Sequence, residues 1–257
     1  MRNVLTIARR ELNAYFVSPI AYILLAAFGT LFGFFFFSSV ASFVVYSASA
    51  AMQRGGMGPM NINQIIIQHT FGNNLPLILL LLTPMVTMRL FAEEKRSGTM
   101  ELLLTSPVRD YEIIVGKWLA AMLLYSAMLG LTGLNVLILF IYSTPDWRAL
   151  LVGYLGLLLM GGTFLAIGGF ISTLTKNQIV AVTVTFGVFL LLYVLDWVNF
   201  YSTSTLGKVC QYLSVSRHFQ QFAKGVVELK DVVYYASAIG LGLFLSKRSL
   251  ESLRWRA

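Results

Sequence analysis

The chain has 257 residues, 57 % of them hydrophobic and only 12 % charged, with a mean hydropathy of +0.75. Soluble domains carry roughly 25 % charged residues, so this composition excludes a soluble enzyme and points to an integral membrane protein. A single domain, 1–257, is expected, with no room for a nucleotide-binding domain beside the membrane part, and the lone cysteine, Cys210, excludes an internal disulfide.

Residues 2–17 open the chain with helical spacing. Val4, Leu5, Ala8, Leu12, Tyr15 and Phe16 share one face, opposite Arg2, Arg9, Arg10 and Asn13. A basic polar face over an aromatic and aliphatic underside suits a helix lying in the headgroup plane; the other reading is the first turns of the first span. Ser18-Pro19 ends it.

A charge-free run from Ile20 to Tyr46 follows, long enough to cross a hydrocarbon core of ~30 Å with tilt. It is too long for a signal-peptide core and shows no small-residue cleavage site, so no cleaved leader is expected. Gly29 and Gly33 form a G-x-x-x-G pair, which lets helices approach closely. Residues 47–73 read as a loop broken by Arg54-Gly55-Gly56 and Gly58-Pro59, with a short helix over 63–71. His69 lies there with no second histidine or cysteine nearby, which leaves a metal ion little to bind. The second span, 74–91, is short and extends at both ends. Pro76 suits its first turn and Pro84 should kink it.

The densest run of charge comes next. Between residues 92 and 118 lie Glu93, Glu94, Lys95, Arg96, Glu101, Arg109, Asp110, Glu112 and Lys117. Gly98 and Pro107 bracket a short helical run that Ser97 can cap, with Glu101 near its positive end. Met100, Leu103 and Leu104 fall on one face. So small an apolar face cannot build its own core and is expected to dock on another surface.

The run Glu93-Glu94-Lys95-Arg96-Ser97-Gly98-Thr99-Met100-Glu101-Leu102-Leu103-Leu104-Thr105-Ser106-Pro107, followed by Glu112-Ile113 and Gly116-Lys117, resembles the cytosolic loop of type-2 ABC exporter permeases. The subgroup it looks closest to is the gliding-motility-associated permeases. The resemblance covers about 25 residues in motif and the whole chain in topology. It implies that residues 92–112 form a coupling loop, and that Glu93, Glu94 and Gly98 to Pro107 seat against a cytosolic ATPase subunit. It also implies that 2–17 are an elbow helix, that a second permease copy or relative completes the transporter, and that ATP and magnesium belong to the ATPase chain. The expected home is a bacterial inner membrane.

Span three, 113–142, carries one strongly polar interior residue, Asn135, which either lines a pathway or bonds a neighbouring helix. A turn at 143–146 leads to span four, 150–174, rich in glycine: Gly153, Gly156, Gly161, Gly162, Gly168 and Gly169. Span five covers 179–195. Residues 196–230 are too polar to span and too apolar for a free loop, with Phe219, Phe222 and Val226 at helical spacing; they read as interfacial or re-entrant. The resemblance implies two short re-entrant helices here, on the outside. Span six, 232–245, is short, with Lys247-Arg248 as its stop. The fold expected is thus all-α, with six transmembrane helices.

Charge sets the orientation. Arg2, Arg9, Arg10, Arg89, Lys95, Arg96, Arg109, Lys117, Lys176, Lys247, Arg248, Arg254 and Arg256 are thirteen of the 19 basic residues, and they fall at the termini and on alternate loops. That bias places both termini and the 92–112 loop in the cytoplasm. It also accounts for the net charge of +8 without a nucleic-acid partner.

The chain lacks a G-x-x-x-x-G-K-[ST] phosphate loop, so energy has to come from another chain. No catalytic constellation stands in or near a span, which argues against a membrane enzyme. An ion-coupled secondary transporter would carry ionisable residues deep in its spans and an internal repeat, and neither is evident. A membrane anchor or assembly subunit remains the alternative, and it would need no docking loop.

Overall fold

The computed structural model describes residues 2–52, 63–100, 108–143, 145–200 and 205–254. The described chain is helical, with no strand. In chain order it forms α1 (Arg2–Val17), α2 (Pro19–Met52), two π-helical turns (Asn63–Gln68 and Thr70–Asn74), α3 (Leu75–Ser97), α4 (Asp110–Tyr142) and α5 (Trp147–Leu174). Then come α6 (Gln178–Val194), a 3-10 segment (Leu195–Phe200), α7 (Thr205–Leu213), α8 (Val215–Ala223) and α9 (Leu229–Arg254). Six of these stretches are long and apolar enough to cross a membrane: Pro19–Ser49, Ile66–Ser97, Asp110–Tyr142, Trp147–Leu174, Gln178–Trp197 and Leu229–Leu253.

Glycine in α5 decides what lies at the centre. A Cβ at Gly161 would stand 2.2 Å from the Tyr125 ring, and one at Gly168 2.5 Å from Thr87 Oγ1. Only a bare backbone lets α4 and α3 approach α5 this closely. Tyr125 then donates to the Leu157 carbonyl at 2.9 Å, and Trp118 Nε1 to that of Gly162 at 3.1 Å. α3 is accordingly 72 % buried along its apolar stretch and α5 61 %, against 28 % for α2 and 17 % for α6.

The Ser172 hydroxyl of α5 accepts from the Phe91 and Ala92 amides of α3, at 3.1 and 3.0 Å, and donates to the Met88 carbonyl. One turn on, Lys95 Nζ donates to the Thr173 carbonyl. These contacts make α3 and α5 run parallel, and Thr163 with Tyr235 sets α9 parallel to both. Both termini therefore gather at the end that holds the connections after Ser97 and Leu174.

Span two extends beyond 74–91 at both ends, as expected: Ile66, Ile67 and Phe71 are buried, the π-helical turns run straight into α3, and α3 continues to Ser97. Span six is longer at both ends. Lys247 and Arg248 lie within its last turns, each paired with Glu251 on the helix surface, at 3.4 and 3.0 Å, and the helix itself continues to Arg254.

In α1 the packed face is turned from the expected one. Ile7, Ala8 and Tyr15 are buried with Glu11 beside them, while Leu5 is 67 % exposed. Among the described residues the Gly29 and Gly33 pair makes no close approach: a Cβ at Gly33 would meet nothing within 4 Å and one at Gly29 only Leu131 at 4.0 Å. Three residues before Asn135, Thr132 makes an interhelical hydrogen bond, at 2.6 Å from the Tyr154 hydroxyl.

Residues 196–230 do contain two short helices, α7 and α8. Phe219 and Phe222 are buried, and a Cβ at Gly156 would stand 2.5 Å from Phe222, so α8 seats directly on α5. Val226 is not on that face. It follows Gly225, whose φ of 81° ends the helix, and is exposed.

Candidate functional site

The polar focus of the terminal end is built by α1, α3 and the first turns of α4. α1 reaches α4 because Gly116 has no side chain: a Cβ there would stand 2.8 Å from Ile7 Cγ2 and 3.1 Å from the Val4 carbonyl. That close approach brings Asn3 to Glu112, whose carboxylate accepts from Asn3 Nδ2 at 3.2 Å and from the Arg109 amide at 3.2 Å. The second of these contacts caps α4 by occupying one of its free N-terminal amides.

Next to Gly116, Lys117 is 1 % exposed. Its ammonium lies 2.8 Å from Glu94 Oε1 and 3.2 Å from Glu11 Oε2, and 5.6 Å above the Phe91 ring. Arg10 pairs with Glu11 at 2.8 Å and approaches Glu94 at 3.9 Å. A buried ammonium is tolerable only when carboxylates meet it at this range. Burial alone would raise the pKa of Glu11, but Lys117 and Arg10 outweigh it and hold the carboxyl below the ordinary glutamate value. One oxygen of the cluster, Glu94 Oε2, is buried without a partner.

Beside this cluster Arg89 grips Glu93 through two bonds, at 2.7 and 3.0 Å, and donates to Ser18 Oγ at 3.3 Å. The junction between α1 and α2 is thereby tied to α3. Glu11, Arg89, Glu93, Glu94 and Lys117, with Ser97 and Thr99, line a cleft of about 300 Å³.

Of the residues singled out by sequence, Glu93 and Glu94 are thus engaged in ion pairs within the chain. Gly98, at φ 75°, supplies the left-handed turn that closes α3. Ser97 does not cap the next helix: it is the last residue of α3, and its hydroxyl donates to the Glu94 carbonyl and meets Thr99 Oγ1 at 2.8 Å. Thr99 is exposed and begins a new helical turn. Met100 is 5 % exposed and belongs to the chain's own core. Glu101, Leu102, Leu103, Leu104, Thr105, Ser106 and Pro107 lie outside the described residues.

Sequence reasoning quoted Gly116 and Lys117 only as part of the loop motif, gave neither a place in a site, and missed Glu11. The signal available was a lysine beside a glycine at the mouth of an apolar span, since such a lysine must either snorkel or be paired.

Nothing in this network resembles a reaction centre. Its carboxylates are neutralised by cations, and among the described residues no three of His, Cys, Asp and Glu gather as a metal site. What it joins are three helices and the root of a loop. Six apolar helices around a glycine-packed centre, with basic residues gathered at the terminal end, define a multi-pass helical membrane protein. A family profile described as ABC-2 family transporter protein matches residues 51–215, and the chain belongs to that family of ABC exporter permeases. No curated protein matches it.

Proposed function

We propose that this chain is the permease half of an ATP-driven exporter, and that the loop after Gly98 receives the movement of separate cytosolic ATPase subunits. The observation that carries the reading is Lys117, buried between Glu94 at the root of that loop and Glu11 on the elbow helix. A load applied beyond Ser97 reaches α1, α3 and α4 together through this ammonium. Both termini face the cytoplasm of a bacterial cell in this reading, as the basic residues at the terminal end favour. A second permease copy or relative completes the pathway, and ATP and magnesium are held by the ATPase chains. The gliding-motility-associated subgroup is proposed on the loop motif alone.

The test is crosslinking in a Cys210→Ser background. Single cysteines at Thr99, Leu103 and Leu104 are paired with cysteines on the ATPase expressed from the same operon. An ATP-sensitive crosslink at Thr99 or Leu103, with none at a Met100→Cys control, is the expected result. Absence of crosslinks in an intact complex would overturn the docking role and leave a membrane anchor or assembly subunit as the better reading.

A further inference from the structure

At the end of the bundle away from both termini, α7, α8 and the first turn of α9 enclose a cleft of about 240 Å³. Its floor is a buried pair, His218 (4 % exposed) and Asp231 (1 % exposed). His218 Nε2 lies 2.9 Å from the Tyr212 carbonyl, which can only accept, so that nitrogen carries a hydrogen. Nδ1 lies 2.6 Å from Asp231 Oδ1. A contact this short closes with one hydrogen between the ring nitrogen and the carboxyl oxygen. Tyr234 stacks on the imidazole at 4.0 Å and holds the ring in place.

Two features of this cleft are left over by the pair. Asp231 Oδ2 is buried and has no hydrogen-bond partner, which is costly for a carboxylate oxygen unless a donor meets it. Above it stand three cations from three elements: Lys208 of α7, Arg217 of α8 and Lys230 of α9. Lys230 is engaged by Glu228, and Arg217 only loosely by Asp196 at 3.9 Å. Lys208 has no carboxylate partner among the described residues. The lining of the cleft thus combines three cations with one carboxylate oxygen that has no partner among the described residues. Asp231 belongs to the first turn of a membrane-crossing helix, the depth at which lipid headgroups lie.

We infer that this cleft binds a phosphate ester that carries a hydrogen-bond donor close to its phosphate, as phosphoethanolamine does. The phosphate meets Lys208 and Arg217, and the ammonium donates to Asp231 Oδ2. Phosphocholine has the same charges but no N–H, so it leaves that oxygen unmet. The same group could arrive as the headgroup of phosphatidylethanolamine or as a soluble phosphoethanolamine compound. The inference rests on the cleft alone and stands whether or not the loop after Gly98 docks an ATPase.

The experiment uses the full chain in a neutral, phosphate-free detergent, with the unfolding temperature as readout during titration. Phosphoethanolamine should bind roughly tenfold or more tightly than phosphocholine, as loss of a hydrogen bond to a charged group implies. Lys208→Gln, at an exposed position that does not threaten folding, should weaken both ligands. Asp231→Asn should remove the preference between them. Equal affinity for the two ligands, or an unchanged response in Lys208→Gln, would overturn the proposal.

The source is read in nanodiscs. If phosphoethanolamine stabilises the protein in phosphatidylcholine discs but adds nothing in phosphatidylethanolamine discs, the lipid headgroup occupies the site. Stabilisation in both identifies a soluble ligand. Stabilisation in neither, with none in detergent, rejects the site.

Discussion

Lys117 shows how much one side chain carries. Removing it leaves Glu11 and Glu94 facing each other in a place with little water, and breaking a buried ion pair from one side costs about 3–5 kcal/mol. Lys117→Ala should therefore lower stability by that amount in denaturant unfolding of the purified protein, far more than alanine at exposed Arg96. Acid acts on the same cluster through Glu11. Its carboxyl holds a proton less tightly in the folded protein than in the unfolded chain. Its contribution to stability is thus complete above the ordinary glutamate pKa of about 4.3 and is lost as pH falls through the lower folded-state value. Unfolding curves between pH 6 and ~3 should show this decline, and Glu11→Gln should flatten it. The sequence displays Lys117, Glu11 and Glu94 as three ordinary charges, because nothing local says that separate helices bring them together.

The elements were more legible, and the exceptions share a cause. Each of the six long helices announces itself as an apolar run, since a bilayer core demands one. What hydropathy hides is polar surface that finds a partner. α9 continues past Lys247 and Arg248, which both pair with Glu251, and α1 turns an unexpected face where Glu11 is matched by Lys117. The glycines of α5 were visible as a cluster, but which of them touches a ring depends on the register of α4. Gly161 is the sharpest case. Gly161→Ala places a methyl against Tyr125 and should cost about 1–3 kcal/mol, as overpacking does. Gly133→Ala, on an open surface of α4, should cost little. A thermal-unfolding comparison of the two distinguishes tight packing from a general need for glycine.

At the scale of the whole molecule, the basic residues at the terminal end predict the orientation in the membrane. Cys210 stands at the other end, on α7, partly exposed. A membrane-impermeant maleimide should label it in intact spheroplasts. It should label Thr99→Cys, in the Cys210→Ser background, only in inside-out vesicles. The reverse pattern would invert the topology. The attachment of α3 to α5 through Ser172 and Lys95 has a mechanical consequence. These two central helices form a single stiff lever arm. Under the proposed coupling, a load at Ser97 would reach Leu174 as well, and with it the start of α6 at Gln178. In that reading α6, only 17 % buried along its apolar stretch, is the helix with most freedom to follow the pair.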